Sequence, residues 1–265
     1  VHLIAKAISP KKNNKDFINL SNKISKLTNN GKVNKSLAEA LSNCNPIHPL
    51  VAVLLNPISR QRFGQNERSI FTFLNSGEPY GFLNFINDNK NKNLLYTPDL
   101  LFDYLQVNLE PSILVSNIGH AWSEATESIR RAEVLDDKDG IKITKIISLI
   151  DLFGKNSSLF ATNEIIENSI NLNKSKLEKT LKNLEDKKIV IFRKFKNAYS
   201  LFSGSDINLD ELSELNKTKI KNDYEIILSQ LPPLQPIVAK RHYFDTGTQR
   251  IFQRFCLVLE NVKKT

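Results

Sequence analysis

Residues 141 to 204 constrain the fold more than any other stretch of the chain. They open on IKITKIISLIDLFG, in which Ile143, Ile146, Ile147, Ile150 and Leu152 make a broad apolar stripe at helical spacing, with Gly154 placed to end the helix. ATNEIIENSI follows as a short second helix. NKSKLEKTLKNLEDKK then offers Asn173 as an N-cap and sets Leu177, Leu181 and Leu184 at i, i+4 and i+7, turning Lys174, Lys176, Lys179 and Lys182 outward. IVIFRKF, the turn KNA and YSLFSG read as a β-hairpin. Helix, helix, lysine-rich helix and hairpin is the element order of a winged helix-turn-helix.

The rest of the chain reads as helix. HPLVAVLLNPIS has Pro49 suited to a first turn and Pro57 as an expected kink or break. TPDLLFDYLQVNL begins with Thr97, Pro98 and Asp99, a strong helix start, and GHAWSEATESIRRAEVL is a second helix to about residue 135. The expected fold is therefore mainly α with an α+β part. A helical, bundle-like N-terminal region leads into the winged-helix domain and then a short α/β tail.

The boundaries follow composition. Residues 1–46 form a partial helical segment, 47–136 a helical region, and 137–205 the winged-helix domain. Residues 206–265 hold a helix near 208–229, a proline-rich connector and a terminal strand in QRIFQRFCLVLE. The acidic DDKDG (136–140) marks the expected joint between the second and third parts.

Charge and motifs narrow the chemistry. The net charge of +9 is regional: residues 142–202 carry twelve basic and six acidic side chains, whereas 51–141 carry eight and twelve. A local basic excess is the footprint nucleic-acid binding needs, although a solvated lysine face gives the same count. No GxxxxGK[ST], GxGxxG or HExxH occurs, and the four histidines are scattered, which leaves no metal or cofactor expected in this chain. DTGT (245–248) has the form of a catalytic aspartate loop, but a second such loop is missing, so it reads as a glycine turn before the last strand. Two cysteines, Cys44 and Cys256, and no apolar run of membrane length point to a cytoplasmic chain with no membrane partner. A start at Val1 and the absence of methionine suggest part of a longer protein.

SRQRFGQNERSIFTFL (59–74) concentrates hydrogen-bonding groups. If 60–74 is one helix, Phe63, Ile70, Phe71 and Leu74 form its buried face, and Arg60, Gly64 and Arg68 follow one another along a neighbouring strip. Two guanidinium groups beside a side-chain-free notch suit a phosphate; an internal network through Glu67, Gln65 and Asn66 is the other reading.

Taken together, HPLVAVLLNPISRQRFGQNERSIFTFLNSGEPYGF, LLYTPDLLFDYL, KITKIISLIDLFG, LEDKKIVIFRKFKNAYSLFSGSDINLD and RHYFDTGTQRIF resemble the region downstream of the nucleotide-binding core in large bacterial P-loop ATPases, some associated with phage defence. The resemblance spans about residues 46 to 255, and its most specific part is Gln65–Arg68 with His48 and Pro49 before it. It implies a nucleotide-sensing role for Arg60, Gln65, Asn66, Glu67 and Arg68, with Arg68 or Arg60 touching the γ-phosphate. ATP and Mg²⁺ would then be held by an upstream ATPase domain or partner chain.

Two functions follow. One is a regulatory, nucleic-acid-binding portion of such an ATPase, with Lys174, Lys176, Lys179 and Lys182 and the wing residues Arg193, Lys194 and Lys196 on DNA phosphates. The other is a protein-interaction adaptor that relays nucleotide state without touching DNA. Because the sequence has no Walker motif, the purified chain given ATP and Mg²⁺ is expected to release no phosphate above a protein-free blank. Measurable turnover would contradict this.

Overall fold

The computed structural model describes residues 1–8, 15–28, 34–61, 70–89, 94–154, 159–170, 172–203, 231 and 234–255. The chain divides into two compact units, Val1–Ser205 and Asp206–Thr265. Among the described residues it is mainly helical, with two small antiparallel sheets.

In the first unit the order is α1 (His2–Ala7), α2 (Lys15–Leu27), α3 (Lys35–Ser42), α4 (Pro49–Arg60), α5 (Ile70–Leu74), α6 (Phe82–Asp88), α7 (Pro98–Leu114), α8 (Gly119–Glu133), α9 (Lys138–Phe153), α10 (Asn163–Ser169) and α11 (Lys174–Asp186). Strands β1 (Val190–Arg193) and β2 (Ala198–Leu201) follow, joined by a 3-10 turn over Lys194–Lys196. The second unit contains β3 (Ile237–Val238), α12 (Lys240–Thr246) and β4 (Ile251–Phe252). The helix expected near 208–229 and residues 256–260 of the expected terminal strand lie outside the described residues; of the strand's described part, Ile251–Phe252 is extended and paired.

The centre of the first unit is α9. Ile143, Ile146, Ile147, Leu149, Ile150 and Phe153 are all buried on one broad apolar face, and Thr144 and Ser148 beyond its edge are buried too, so burial extends round most of the helix after its first turns. A helix covered to that extent belongs inside a core. α9 packs on α4, α7 and α8 and also on α10, α11 and β2. Its polar residues satisfy themselves: Thr144 Oγ1 donates to the Gly140 carbonyl at 2.8 Å, and Ser148 Oγ to the Thr144 carbonyl at 2.7 Å.

The DDKDG segment, expected to be a flexible joint, is instead the first turn of this helix. The Asp137 carboxylate accepts from the Asp139 N–H at 3.1 Å, and α8 and α9 pack together on either side of it. Acidic residues there stabilise a helix start rather than loosen a linker. The described residues before Pro46 share the same core, with Ile4, Ile24, Leu41 and Cys44 fully buried. Burial raises the Cys44 thiol to about 11, and its Sγ donates to the Ala40 carbonyl, which makes it a packing thiol. Cys256 lies outside the described residues.

Two helix ends depart from expectation. α4 does not break at Pro57 but continues to Arg60, because Pro57 is buried with Leu54, Leu55 and Ile58 and that packing offsets the lost N–H bond. α7 starts at Pro98 as expected, but Thr97 makes no side-chain cap bond; Pro98 and Asp99 carry the start.

Tyr96 joins the α5–α7 region. Phe73, Phe82 and Phe85 meet its ring edge-on at centroid distances of 5.4 to 5.9 Å. Its hydroxyl donates to the Tyr80 carbonyl at 2.7 Å, and its main chain pairs with Pro46 and His48. Beside it, Lys145 Nζ on α9 reaches Asp103 Oδ1 on α7 at 2.6 Å; burial nevertheless holds the Asp103 carboxyl above the usual carboxylate range.

His48 fixes α4 to α10. Its Nδ1 accepts from the Leu50 N–H at 3.1 Å, and its Nε2 lies 3.0 Å from the Asn168 carbonyl, so the neutral ring with the proton on Nε2 satisfies both. Burial lowers its pKa to about 4. Folding therefore favours the neutral ring, and stability is full above the unfolded value of about 6.5 and falls as the pH drops toward 4, by about 3 kcal/mol in all. Urea midpoints measured near pH 7.5 and near pH 4.5 should show this loss, and His48→Gln should show a shallower pH dependence from a lower starting stability.

Candidate nucleic-acid interface

α11 is set by its apolar stripe. Leu177, Leu181 and Leu184, with Thr180, are buried as the helix packs on α9 and β1. Asn173 stands at the N-cap, as its position suggested, but its side chain makes no cap bond. Steps of 100° per residue put Lys179 and Lys182 opposite the buried stripe, with Lys174 and Lys176 flanking it; all four are exposed. They are not equivalent. Lys176 is ion-paired with Asp139 at the start of α9, and that contact raises its pKa. The exposed acids Glu178 and Asp186 also interrupt the basic face.

The hairpin is antiparallel, pairing Val190 with Leu201, Ile191 with Ser200, Phe192 with Tyr199 and Arg193 with Ala198. Phe192 and Tyr199 lie edge to face, 5.1 Å apart. On its other side, Tyr199 donates its N–H to the Ala161 carbonyl at 2.9 Å, so the segment between α9 and α10 lies alongside β2.

Two carboxylates anchor the hairpin to the helices. Asp151 of α9 accepts from the Leu201 N–H at 2.7 Å and the Ser200 hydroxyl at 3.2 Å. Glu185 of α11 accepts from the Phe192 N–H at 3.2 Å, occupying a donor on the outer edge of β1.

The tip carries Lys194, Phe195, Lys196 and Asn197. Asn197 takes the left-handed conformation at φ 49°, which closes the turn and which Asn tolerates better than most residues. Phe195 is 67% exposed, with Lys196 Nζ 5.3 Å from its ring centroid. Lys194 is exposed, and Arg193 and Lys196 are half-buried. An aromatic ring between cations on a rigid turn can stack on a base or sugar while its neighbours meet phosphates. The sequence showed Arg193, Lys194 and Lys196; Phe195 was overlooked, though the Lys-Phe-Lys order itself was the signal.

Of the other expected cluster, Arg60 alone lies among the described residues. Arg60 is exposed in the last turn of α4, which ends there with Gln61 extended, so 60–74 is not one continuous helix. Gln65, Asn66, Glu67 and Arg68 lie outside the described residues. Of the expected buried face, Leu74 is buried, and its neighbour Phe73 is buried beside it.

Because Asp151 holds two groups of β2, Asp151→Ala is expected to destabilise the chain by about 2 kcal/mol. Urea unfolding checks the loss, and amide exchange at Leu201 should quicken more than exchange within α7.

The chain matches no protein-family model, and no curated protein or solved structure matches it.

Proposed function

We propose that the Val1–Ser205 unit is a winged-helix module that binds the DNA backbone without reading its sequence and serves as the regulatory part of a larger bacterial P-loop ATPase. The observation that carries the first half is the pairing of α11 with its hairpin. Lys174, Lys179 and Lys182 and the Lys194–Phe195–Lys196 tip sit on consecutive elements tied to one another through Leu177, Leu181, Asp151 and Glu185. The order α9, α10, α11, β1, β2, with Ala161 bridged to β2, supports the winged-helix reading. Lysines are point charges that suit phosphates, and few Arg, Asn or Gln residues stand where a base edge would be read. The ATPase half rests on the sequence resemblance alone, and with it the nucleotide-sensing role of Arg60 and Arg68.

A second reading, the protein adaptor, is favoured by an apolar strip on α7, where Val107, Leu114 and neighbouring Val115 are exposed. Salt separates the two readings, since phosphate contacts release counterions and apolar contacts do not.

Fluorescence anisotropy with a labelled duplex is expected to show micromolar binding that weakens steeply with salt, the slope flattening by about 0.9 for each phosphate-contacting lysine removed. Lys174→Glu, Lys179→Glu and Lys182→Glu together should reduce affinity at least about tenfold. Asp139→Asn, which removes a negative charge beside Lys176, should tighten binding a few-fold. Salt-independent binding, or charge reversals without effect, would leave the adaptor reading.

A further inference from the structure

In the second unit, residues 234–255 are organised almost wholly by polar ties. Ile237 pairs with Phe252 and Val238 with Ile251, and the Ala239 N–H donates to the Arg250 carbonyl at 2.9 Å, closing the base of the excursion that carries α12. At its far end Thr246 Oγ1 donates to the His242 carbonyl at 2.7 Å and lies 2.8 Å from Thr248 Oγ1, and Gly247 takes φ 69°. DTGT is thus a glycine turn, as the sequence suggested, and it also ends a helix, α12, that the sequence did not.

The apolar side chains have little cover. Ile237, Tyr243, Phe252 and Phe255 are half to three-quarters exposed, and Phe244 is 90% exposed. A two-stranded pair is marginal by itself, and so much exposed aromatic surface marks a binding face.

Charge indicates what binds there. Over 234–255, Lys240, Arg241, Arg250 and Arg254 stand against a single acid, Asp245. A second copy of the same face would oppose like charges, whereas a polyanion complements it. The two-residue period of a strand puts Arg250 and Phe252 on one face, and continuing it places Arg254 there as well, opposite Gln235. Arg254 Nε donates to the Gln235 carbonyl at 2.9 Å, which ties the guanidinium to the main chain opposite it. Cation, aromatic ring and cation in alternation on one strand face is the arrangement that stacks a base while holding the flanking backbone.

We propose that this hairpin is a binding site for single-stranded nucleic acid, with Phe252 stacking on a base and Arg250 and Arg254 contacting the adjoining phosphates. The site is independent of the α11 face and calls for a different strand state.

The test uses the full chain and a labelled oligothymidylate of about 20 nucleotides, titrated at several salt concentrations. Wild type should bind with a clear salt slope. Arg250→Gln with Arg254→Gln should weaken binding about tenfold or more and flatten the slope by about 1.4, two single-strand contacts. Phe252→Leu should weaken it between about fivefold and a hundredfold, while Phe252→Tyr, which keeps a stacking ring and serves as the folding control, should stay near wild type. Lys179→Glu with Lys182→Glu should lose duplex affinity and keep the oligothymidylate, which separates failure here from failure of the duplex reading. No salt-dependent binding by the full chain, or affinities of the arginine and Phe252→Leu variants within about twofold of wild type, would overturn the proposal and assign the face to a protein partner.

Discussion

The burial of most of α9 is the constraint on which the first unit depends. Most helices in a small helical protein have a wet face along their whole length; this one is exposed only at Lys138 and Lys142 near its start, because the helices before it and the helix-and-hairpin block after it share it as a core. A cavity opened at Ile146 or Ile147 would therefore be felt in both halves. The buried hydroxyls of Thr144 and Ser148 are tolerated only because each donates to the carbonyl one turn back.

What the sequence revealed and what it hid divide along contact range. The leucine spacing of α11 and the alternation of the β1–β2 hairpin are local patterns; the leucines stand where the pattern put them, and the hairpin forms with its turn earlier than the expected KNA, over Lys194–Asn197. The acidic run at 136–140 read as a joint because composition cannot distinguish a solvated linker from a helix start whose carboxylate caps its own backbone. Pro57 read as a kink or break, and the helix runs on through it, because propensity takes no account of burial. At the candidate interface, the lysines were legible as charges, but their standing was not. Lys176 is committed to an acid 37 residues earlier, and the hairpin's anchor Asp151 lies about fifty residues before its partners. Such pairings exist only after the chain has folded.

Electrostatically, the surface is less basic than the regional count of charges suggests. One of the four lysines of α11 has a carboxylate partner, and two acids stand exposed among the others. The field at the tip is more concentrated, with three basic residues within four positions around one exposed ring. In the other unit the same pairing of cations with aromatic rings recurs on a strand. The two places differ in support, one fixed to a deep core and the other held by hydroxyls and main-chain bonds.

The carboxylates of Asp151 and Glu185 hold the hairpin through the main-chain N–H groups of Leu201 and Phe192. Those donors are present whatever side chain the residue carries, so the mounting is indifferent to what is displayed on it. The four residues between Arg193 and Ala198 can change in chemistry or number while the strands below keep their register. The tip is in effect an exchangeable part, and what it displays can be rewritten without renegotiating how the unit folds.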